Sequence, residues 1–284
     1  MIRILSTFVI LWAGAAQAAV QIKTPTSPGG IAALVVEEPS IPFTALEIMF
    51  SGGAALDPRH KRGAAYLMTG LLEEGSGDMD AQAFAAAQEA LAASFGFDVY
   101  DDTVTISVRF LTENRAESLA LLKTVLTQPR FDPEAIERVR TKLLSILAAD
   151  EQEPDSVAGT TWSQLAFGQH AYGTPREGTA ASVAALTRED IIAAHQRLFT
   201  RDTLSVSAVG DISAAELGPM LDDLLGQLPA GEGLKTAAAA FATEGGVTVV
   251  DMPTPQSVAL FGHCGIDRDH PAFFAAFVLI RFLL

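Results

Sequence analysis

The sequence predicts an α+β fold in which helices pack on an antiparallel or mixed sheet. Three observations support this class. Apolar and polar residues alternate in short runs, other segments carry apolar residues at helical spacing, and the strand-like runs are grouped around blocks of helices rather than alternating with them regularly. The first two strands are expected to form an antiparallel pair, and a second, similar domain is expected to begin near the C-terminus.

The N-terminus has the pattern of a secretory signal peptide at residues 1–18. Arg3 precedes an apolar run, and the sequence Ala16-Gln17-Ala18 offers small residues at the two positions that a signal peptidase reads. Later apolar segments are too short to span a bilayer. We therefore expect export without a membrane span, to the periplasm or otherwise out of the cell.

The first domain begins with two predicted strands, at residues 31–36 and 43–50. A helix follows at residues 65–72, and Asp80 is placed to cap a second, alanine-rich helix that reaches about residue 93. The alternating pattern over residues 97–111 then predicts one long, half-buried strand.

The Asp101-Asp102 pair within that strand is interpreted as a bulge or an edge device. Helices are predicted at residues 113–127 and 132–151, and Asp155 is predicted to cap the next helix. Capping boxes at Thr187 and Ser213 enclose a strand at residues 204–210.

The pattern divides the mature chain into a first domain at residues 24–228, a linker at 229–245 and an incomplete second domain at 246–284. The linker follows from a shift to glycine, proline and alanine. Strands at residues 247–251 and 257–262 are expected to open the second domain, and the apolar helix after residue 273 has no capping residue at its end.

The formal charge of -15 argues against partners that carry phosphate, because a strongly acidic surface repels them. Nucleic acids are therefore excluded as expected partners. The one cysteine, Cys264, cannot form a disulfide within the chain.

The order of several short blocks resembles the insulinase and pitrilysin family of zinc metallopeptidases, which includes the mitochondrial processing peptidases. The resemblance extends from about residue 24 to the end of the chain, and its specificity lies in the succession of blocks rather than in any one of them. The blocks are residues 46–80, 139–154, 170–173, 178–179 and 209–211.

The resemblance implies a zinc site that this sequence does not reproduce. Peptidases of the family hold zinc with His-x-x-Glu-His on a helix, and the glutamate activates the metal-bound water. Tyr66, Thr69 and Gly70 stand at these three positions, and none of them can serve as zinc ligand or base in the family's manner. A further glutamate is expected around residues 145–147, yet residues 138–149 contain no acidic side chain. The sequence therefore predicts no catalytic residues, no metal and no cofactor.

The histidines do not suggest a replacement metal site. They form no short ligand pair in the sequence, and we interpret each as a surface or hydrogen-bonded structural residue. They are His60, His170, His195, His263 and His270.

The resemblance leaves three interpretations open. The first is an exported, non-catalytic subunit that forms a heterodimer with a zinc-bearing relative and contacts extended peptides through residues 66–72 and the neighbouring strand. The second is a zinc-dependent metalloendopeptidase with an unrecognised set of ligands. The third is a truncated, non-functional remnant, because the second domain stops within its first helix.

Overall fold

The computed structural model describes residues 20–231, 233–242, 245–262 and 264–283. The predicted signal peptide and His263 lie outside the described residues.

Five strands form one mixed sheet in the order β1-β7-β2-β6-β5. β1 runs parallel to β7, and the remaining neighbours are antiparallel. Two very short strands, β3 and β4, form a separate antiparallel pair. The strands are β1 (Ala33–Glu37), β2 (Phe43–Ser51), β3 (Gly75–Ser76), β4 (Met79–Asp80), β5 (Ser94–Val99), β6 (Thr103–Leu111) and β7 (Leu204–Gly210).

The helices pack with one another and with the sheet, and together they confirm the α+β class. They are α1 (Ala64–Gly70), α2 (Ala81–Ala90), α3 (Arg115–Thr127), α4 (Pro133–Asp150), α5 (Pro154–Phe167), α6 (Ala180–Ala184), α7 (Arg188–Leu198), α8 (Ala214–Leu225) and α9 (Phe273–Leu283).

The core lies between the helices and one face of the sheet. In β2 the inward side chains are Leu46, Ile48 and Phe50, and each is at most 2% exposed. The alternate residues of the central strands leave the opposite face more accessible to solvent. The ring of Phe50 meets that of Phe199, which follows α7, edge to face at 4.8 Å. Helix α7 is thereby fixed against the sheet.

Two predictions about the sheet are wrong. The long strand predicted at residues 97–111 is a hairpin, β5 and β6, and the Asp101-Asp102 pair lies in its turn rather than in a bulge. Aspartate favours turns because its side chain bonds to nearby backbone groups. The first two strands are not paired with each other, since β7 lies between β1 and β2.

The capping predictions are largely confirmed. The side chain of Asp80 accepts the backbone N–H of Ala83 at 2.8 Å, and Thr187 and Ser213 both form complete capping boxes. Asp155 does not cap α5. It lies in the first turn of a helix that already begins at Pro154, because proline is favoured at the first helical position.

The strands predicted at residues 247–251 and 257–262 do not form among the described residues. Alternation of apolar residues is insufficient for a strand, because the backbone groups also need a hydrogen-bonded neighbour.

Helix α9 leaves large apolar side chains exposed, with Phe274 at 77% and Phe282 at 85%. None of the helices in the described ranges has the length and hydropathy needed to cross a bilayer.

Candidate functional site

A cavity of about 320 Å³ lies where α1, β5 and α4 meet. All three positions at which the sequence departs from the zinc signature line this cavity. Its wall consists of Tyr66, Leu67, Thr69, Gly70, Glu74, Phe97, Asp98, Val99, Tyr100, Val139, Lys142, Leu143, Ile146 and Arg176.

Helix α1 is held in place by a buried carboxylate ahead of it. Asp57 accepts the backbone N–H groups of Gly63 and Ala65, both at 3.1 Å, and so satisfies donors at the start of the helix. Gly63 has a φ of 97°, a conformation that suits glycine. Arg197 of α7 donates to the same carboxylate at 2.6 Å. Burial raises the pKa of Asp57 to about 6, so the group is ionised at neutral pH.

Arg62, just before α1, bonds to several segments that surround the cavity. Its side chain is 4% exposed and its guanidinium pairs with the carboxylate of Asp101 at 2.7 Å, in the turn between β5 and β6. It also donates to four backbone carbonyls, those of Ala54, Ala171, Thr174 and Pro175. One side chain thus connects α1 to the β5–β6 turn and to the segment that leads to Arg176.

The three signature positions provide little that could bind zinc. Tyr66 is half-buried, and burial raises the pKa of its phenol above the ordinary value, so the phenol is neutral near pH 7. The hydroxyl of Thr69 donates to the backbone carbonyl of Tyr66 at 2.9 Å. Gly70 has no side chain, and a Cβ there would lie 3.2 Å from Cγ1 of Val139.

Helix α4 provides the opposite wall, where the resemblance implies a glutamate. Ile146 lies within the expected range of residues and lines the cavity, together with Val139, Lys142 and Leu143. Within the described residues, His, Cys, Asp and Glu side chains form no group of three that could hold a metal ion. The donors present therefore do not fit the tetrahedral nitrogen and oxygen set of a catalytic zinc.

The cavity wall contains two acidic and two basic side chains. Glu74 pairs with Arg138, and Arg176 pairs with its neighbour Glu177 at 2.9 Å. Arg176 also lies over the ring of Tyr100, with 5.4 Å between its Cζ and the ring centroid. This leaves one cation, Lys142, and one anion, Asp98, that form no ion pair within the described part of the chain.

Strand β5 forms one edge of the sheet and one side of the cavity. Its backbone bonds to β6 along one side only, and in the described ranges no other segment bonds to its backbone. An edge of this kind can accept a further extended chain.

The described histidines lie away from the cavity. His170 bonds to Tyr172 and to the carbonyl of Ala237, whereas His60 and His270 are exposed. His195 is largely buried between aromatic rings, and burial lowers its pKa to about 4.

Sequence reasoning did not identify Asp98, Lys142 or Arg176 as cavity residues. They come from β5, from α4 and from the loop after Gly173, and no spacing in the sequence connects them. The available signal was the helical spacing that puts Val139 and Ile146 on one face of α4.

Two family models match this chain. The insulinase model, peptidase family M16, matches residues 33–180, and the model of the peptidase M16 inactive domain matches residues 185–284.

Curated relatives share about a quarter of the aligned residues. The non-peptidase homolog YmxG of Helicobacter pylori is 27% identical over 222 residues, which cover 78% of this chain and 51% of YmxG. The beta subunit of the mitochondrial-processing peptidase of Blastocladiella emersonii is 21% identical over 246 residues, covering 86% of this chain and 53% of that subunit. The chain spans about half the length of these relatives.

Solved structures share the fold. A peptidase M16 inactive domain from Pseudomonas fluorescens superposes with a TM-score of 0.73 and 26% identity, covering 78% of this chain and 54% of that one. The periplasmic protease PqqL of Escherichia coli gives a TM-score of 0.68 at 16% identity, covering 80% of this chain and 26% of PqqL. The second likeness shows the fold alone.

Proposed function

This chain belongs to the insulinase family, peptidase family M16, and we propose that it is an exported member without peptidase activity, which binds extended peptides as the supporting subunit of a zinc-bearing relative. The observation that carries the proposal is the composition of the cavity at Tyr66, Thr69 and Gly70.

The proposed absence of peptidase activity is supported by the chemistry of these positions. Zinc-dependent peptide hydrolysis needs ligands that leave one coordination position of the metal for water, and a base that takes the proton from that water. A neutral phenol, a hydroxyl already donated to the backbone and a glycine provide neither function. The side chain of Ile146 cannot replace the glutamate that the resemblance implies on α4.

Peptide binding is supported by the free edge of β5 beside the cavity. An extended peptide can add to such an edge through backbone hydrogen bonds, while alternate side chains enter neighbouring pockets. This mode does not require the metal.

The names of two relatives support the proposed role as a supporting subunit. One is named a non-peptidase homolog, and another is a subunit of a processing peptidase. Export is supported by the signal-peptide pattern of residues 1–18, and the solved relative PqqL is described as periplasmic. We further propose that residues 24–228 form the first domain, residues 229–245 a linker and residues 246–284 the beginning of a second domain.

The test is to measure zinc content and peptidase activity of the purified chain, alone and mixed with a zinc-bearing relative from the same organism. We expect no stoichiometric zinc and no activity from the chain alone, and higher activity of the relative in the mixture. The relative alone and the relative mixed with an unrelated acidic protein are the controls.

Stoichiometric zinc with activity from the chain alone would instead establish an enzyme with a different ligand set. No effect on the relative would overturn the supporting role and favour a non-functional remnant.

A further inference from the structure

We propose that residues 237–242, which we call the strap, dock reversibly on helix α5, and that the docked strap stabilises the turn between β5 and β6. The strap belongs to the segment predicted as a linker, to which the proposed function assigns no role beyond connection. Both ends of this coupling lie within the chain, so it does not depend on the proposed peptide binding.

The strap has no regular secondary structure, and hydrogen bonds hold it at both ends. The backbone N–H of Ala242 donates to the carbonyl of Ala166, in α5, at 2.7 Å. At the other end, Nε2 of His170 donates to the carbonyl of Ala237 at 2.9 Å. The segment is therefore docked along α5 and the loop that follows it.

Aromatic rings make the third contact between the strap and α5. The ring centroid of Phe241 lies 6.2 Å from that of Trp162 and 6.4 Å from that of Phe167, which it meets edge to face. Gly262 also lies against Trp162, because a Cβ at this glycine would come 2.6 Å from Cζ2 of the indole. Trp162 therefore contacts the chain after α8 at two places.

Few buried contacts hold the strap in place. Ala239 is half-buried, the other residues of the strap are exposed, and the side chain of Phe241 is itself 38% exposed. The four alanines at residues 237–240 bring little apolar surface to the contact. Because segments with few buried apolar contacts open locally at a small cost in free energy, the strap can leave α5 while the sheet stays folded.

A continuous series of contacts leads from the strap to the β5–β6 turn. The ring of Phe167, which contacts the strap, meets the ring of Tyr172 edge to face at 5.6 Å. The hydroxyl of Tyr172 donates to the carboxylate of Asp102, in the turn, at 2.6 Å. Burial and this bond raise the pKa of Tyr172 to about 12, so the phenol remains a donor at neutral pH.

The strap supports both neighbours of the Tyr172 ring. Phe167 packs on one side of the ring and loses an aromatic contact when the strap leaves. His170 contacts the ring at 4.5 Å, and its Nδ1 accepts the backbone N–H of Tyr172 at 3.2 Å. His170 loses its bond to the strap in the same event. Release of the strap therefore weakens the packing that aligns Tyr172 with Asp102.

Hydrogen exchange measured by mass spectrometry tests the coupling in the mature chain, which lacks residues 1–18. Phe241→Ala removes the strap's ring at an exposed position, where folding should tolerate the change. Amides whose bonds involve the turn should then exchange at least about threefold faster, whereas those of β2 should not change. The reporting amides are those of Gly52, Ala54, Ala55 and Tyr100.

Trp162 reports the docking of the strap directly. It is the only tryptophan of the mature chain, because Trp12 lies in the predicted signal peptide. Acrylamide should quench its fluorescence more strongly in Phe241→Ala than in the unmodified chain. Phe282→Ala is the control, since it removes a ring that is 85% exposed on α9, and it should change neither quenching nor exchange at the turn.

A double-mutant cycle tests whether Tyr172 carries the coupling. Tyr172→Phe removes the bond to Asp102 and keeps the ring, so it should speed exchange at the turn without changing the quenching of Trp162. Phe241→Ala should add no further increase at the turn in that background, because the step through which it acts is already lost.

Four results would overturn the proposal. Stronger quenching in Phe241→Ala with unchanged exchange at the turn would show a docked strap without coupling, and no change in either measurement would show that the strap is not docked. Faster exchange in β2 as well as at the turn would indicate general destabilisation. In the unmodified chain, exchange of the Ala242 amide as slow as that of β2 would show that the strap does not open on its own.

Discussion

Arg197 of α7 donates to the buried carboxylate of Asp57 at 2.6 Å, and Asp57 in turn accepts two backbone N–H groups at the start of α1. The side chain of Asp57 is fully shielded from solvent, and that of Arg197 is 18% exposed. The position of the helix that carries Tyr66, Thr69 and Gly70 therefore depends on a charge supplied from a distant part of the sequence.

Asp57→Asn should lower the free energy of unfolding by about 2 kcal/mol, because both carboxylate oxygens accept hydrogen bonds and an amide has only one acceptor oxygen, which leaves a buried donor unpaired. Urea unfolding at pH 8, where Asp57 is ionised, measures the loss. Asp223→Asn is the control, since it breaks an exposed ion pair with Lys123 and should cost less than about 1 kcal/mol. Equal losses in the two variants would contradict the role assigned to Asp57.

Arg62→Lys should also destabilise the chain, by about 2 kcal/mol or more, because an ammonium group cannot reach the widely spaced oxygens that the guanidinium bonds. Limited proteolysis should show faster cleavage in residues 168–178, which Arg62 holds against α1. Arg109→Lys, at an exposed position of β6, should leave both measurements nearly unchanged. Unchanged cleavage in Arg62→Lys would mean that the loop is held by other contacts.

Restoring the zinc signature should restore metal binding. The variant Tyr66→His, Thr69→Glu, Gly70→His, Ile146→Glu places three zinc ligands and a base around the cavity, and we expect it to retain stoichiometric zinc after dialysis. Metal analysis is the measurement, and unfolding in denaturant checks that the variant is folded.

The same variant with Ile146→Gln is the matched control and should bind zinc more weakly, because a neutral amide replaces the carboxylate. If the two variants bind zinc equally, Ile146 is not at the position of the missing ligand. Stoichiometric zinc in the unmodified chain would contradict the interpretation that the residues of the cavity do not bind zinc.

His195 should make stability fall as the pH is lowered. Burial reduces its pKa to about 4 in the folded chain, whereas the unfolded chain takes up the proton near pH 6.5. The unfolded state is therefore favoured progressively between pH 6.5 and about 4, with a total loss of about 3 kcal/mol from this residue. His195→Asn should show a smaller loss over the same range in urea unfolding. Parallel profiles for the two proteins would assign the acid sensitivity to other groups.

Local patterns were sufficient to predict much of the first domain. The strand at residues 204–210, the cap at Asp80 and both capping boxes follow from residues close together in the sequence. The hairpin of β5 and β6 was missed because the alternation continues through its turn, although two successive aspartates were a signal for that turn.

The cavity could be predicted only in part. The three changed positions on α1 follow from the resemblance, but the opposite wall depends on α4 and β5 packing beside that helix. Helical spacing identified the apolar face of α4 without indicating what it faces. Tertiary packing brings Lys142 and Asp98 to the same cavity, and no local sequence pattern specifies that packing.

The parallel pairing of β1 with β7 also governs the order in which this fold can be assembled. Ala33 is opposite Val206 and Glu37 is opposite Gly210, so β1 can join the sheet only after β7 has been synthesised. Contacts this distant in sequence require a large loop to close and slow the folding of a domain. During synthesis, β2 and β6 can pair early, but the other edge of β2 remains open until residue 210 has emerged. Until then the nascent chain carries an unpaired strand edge, a feature that favours aggregation.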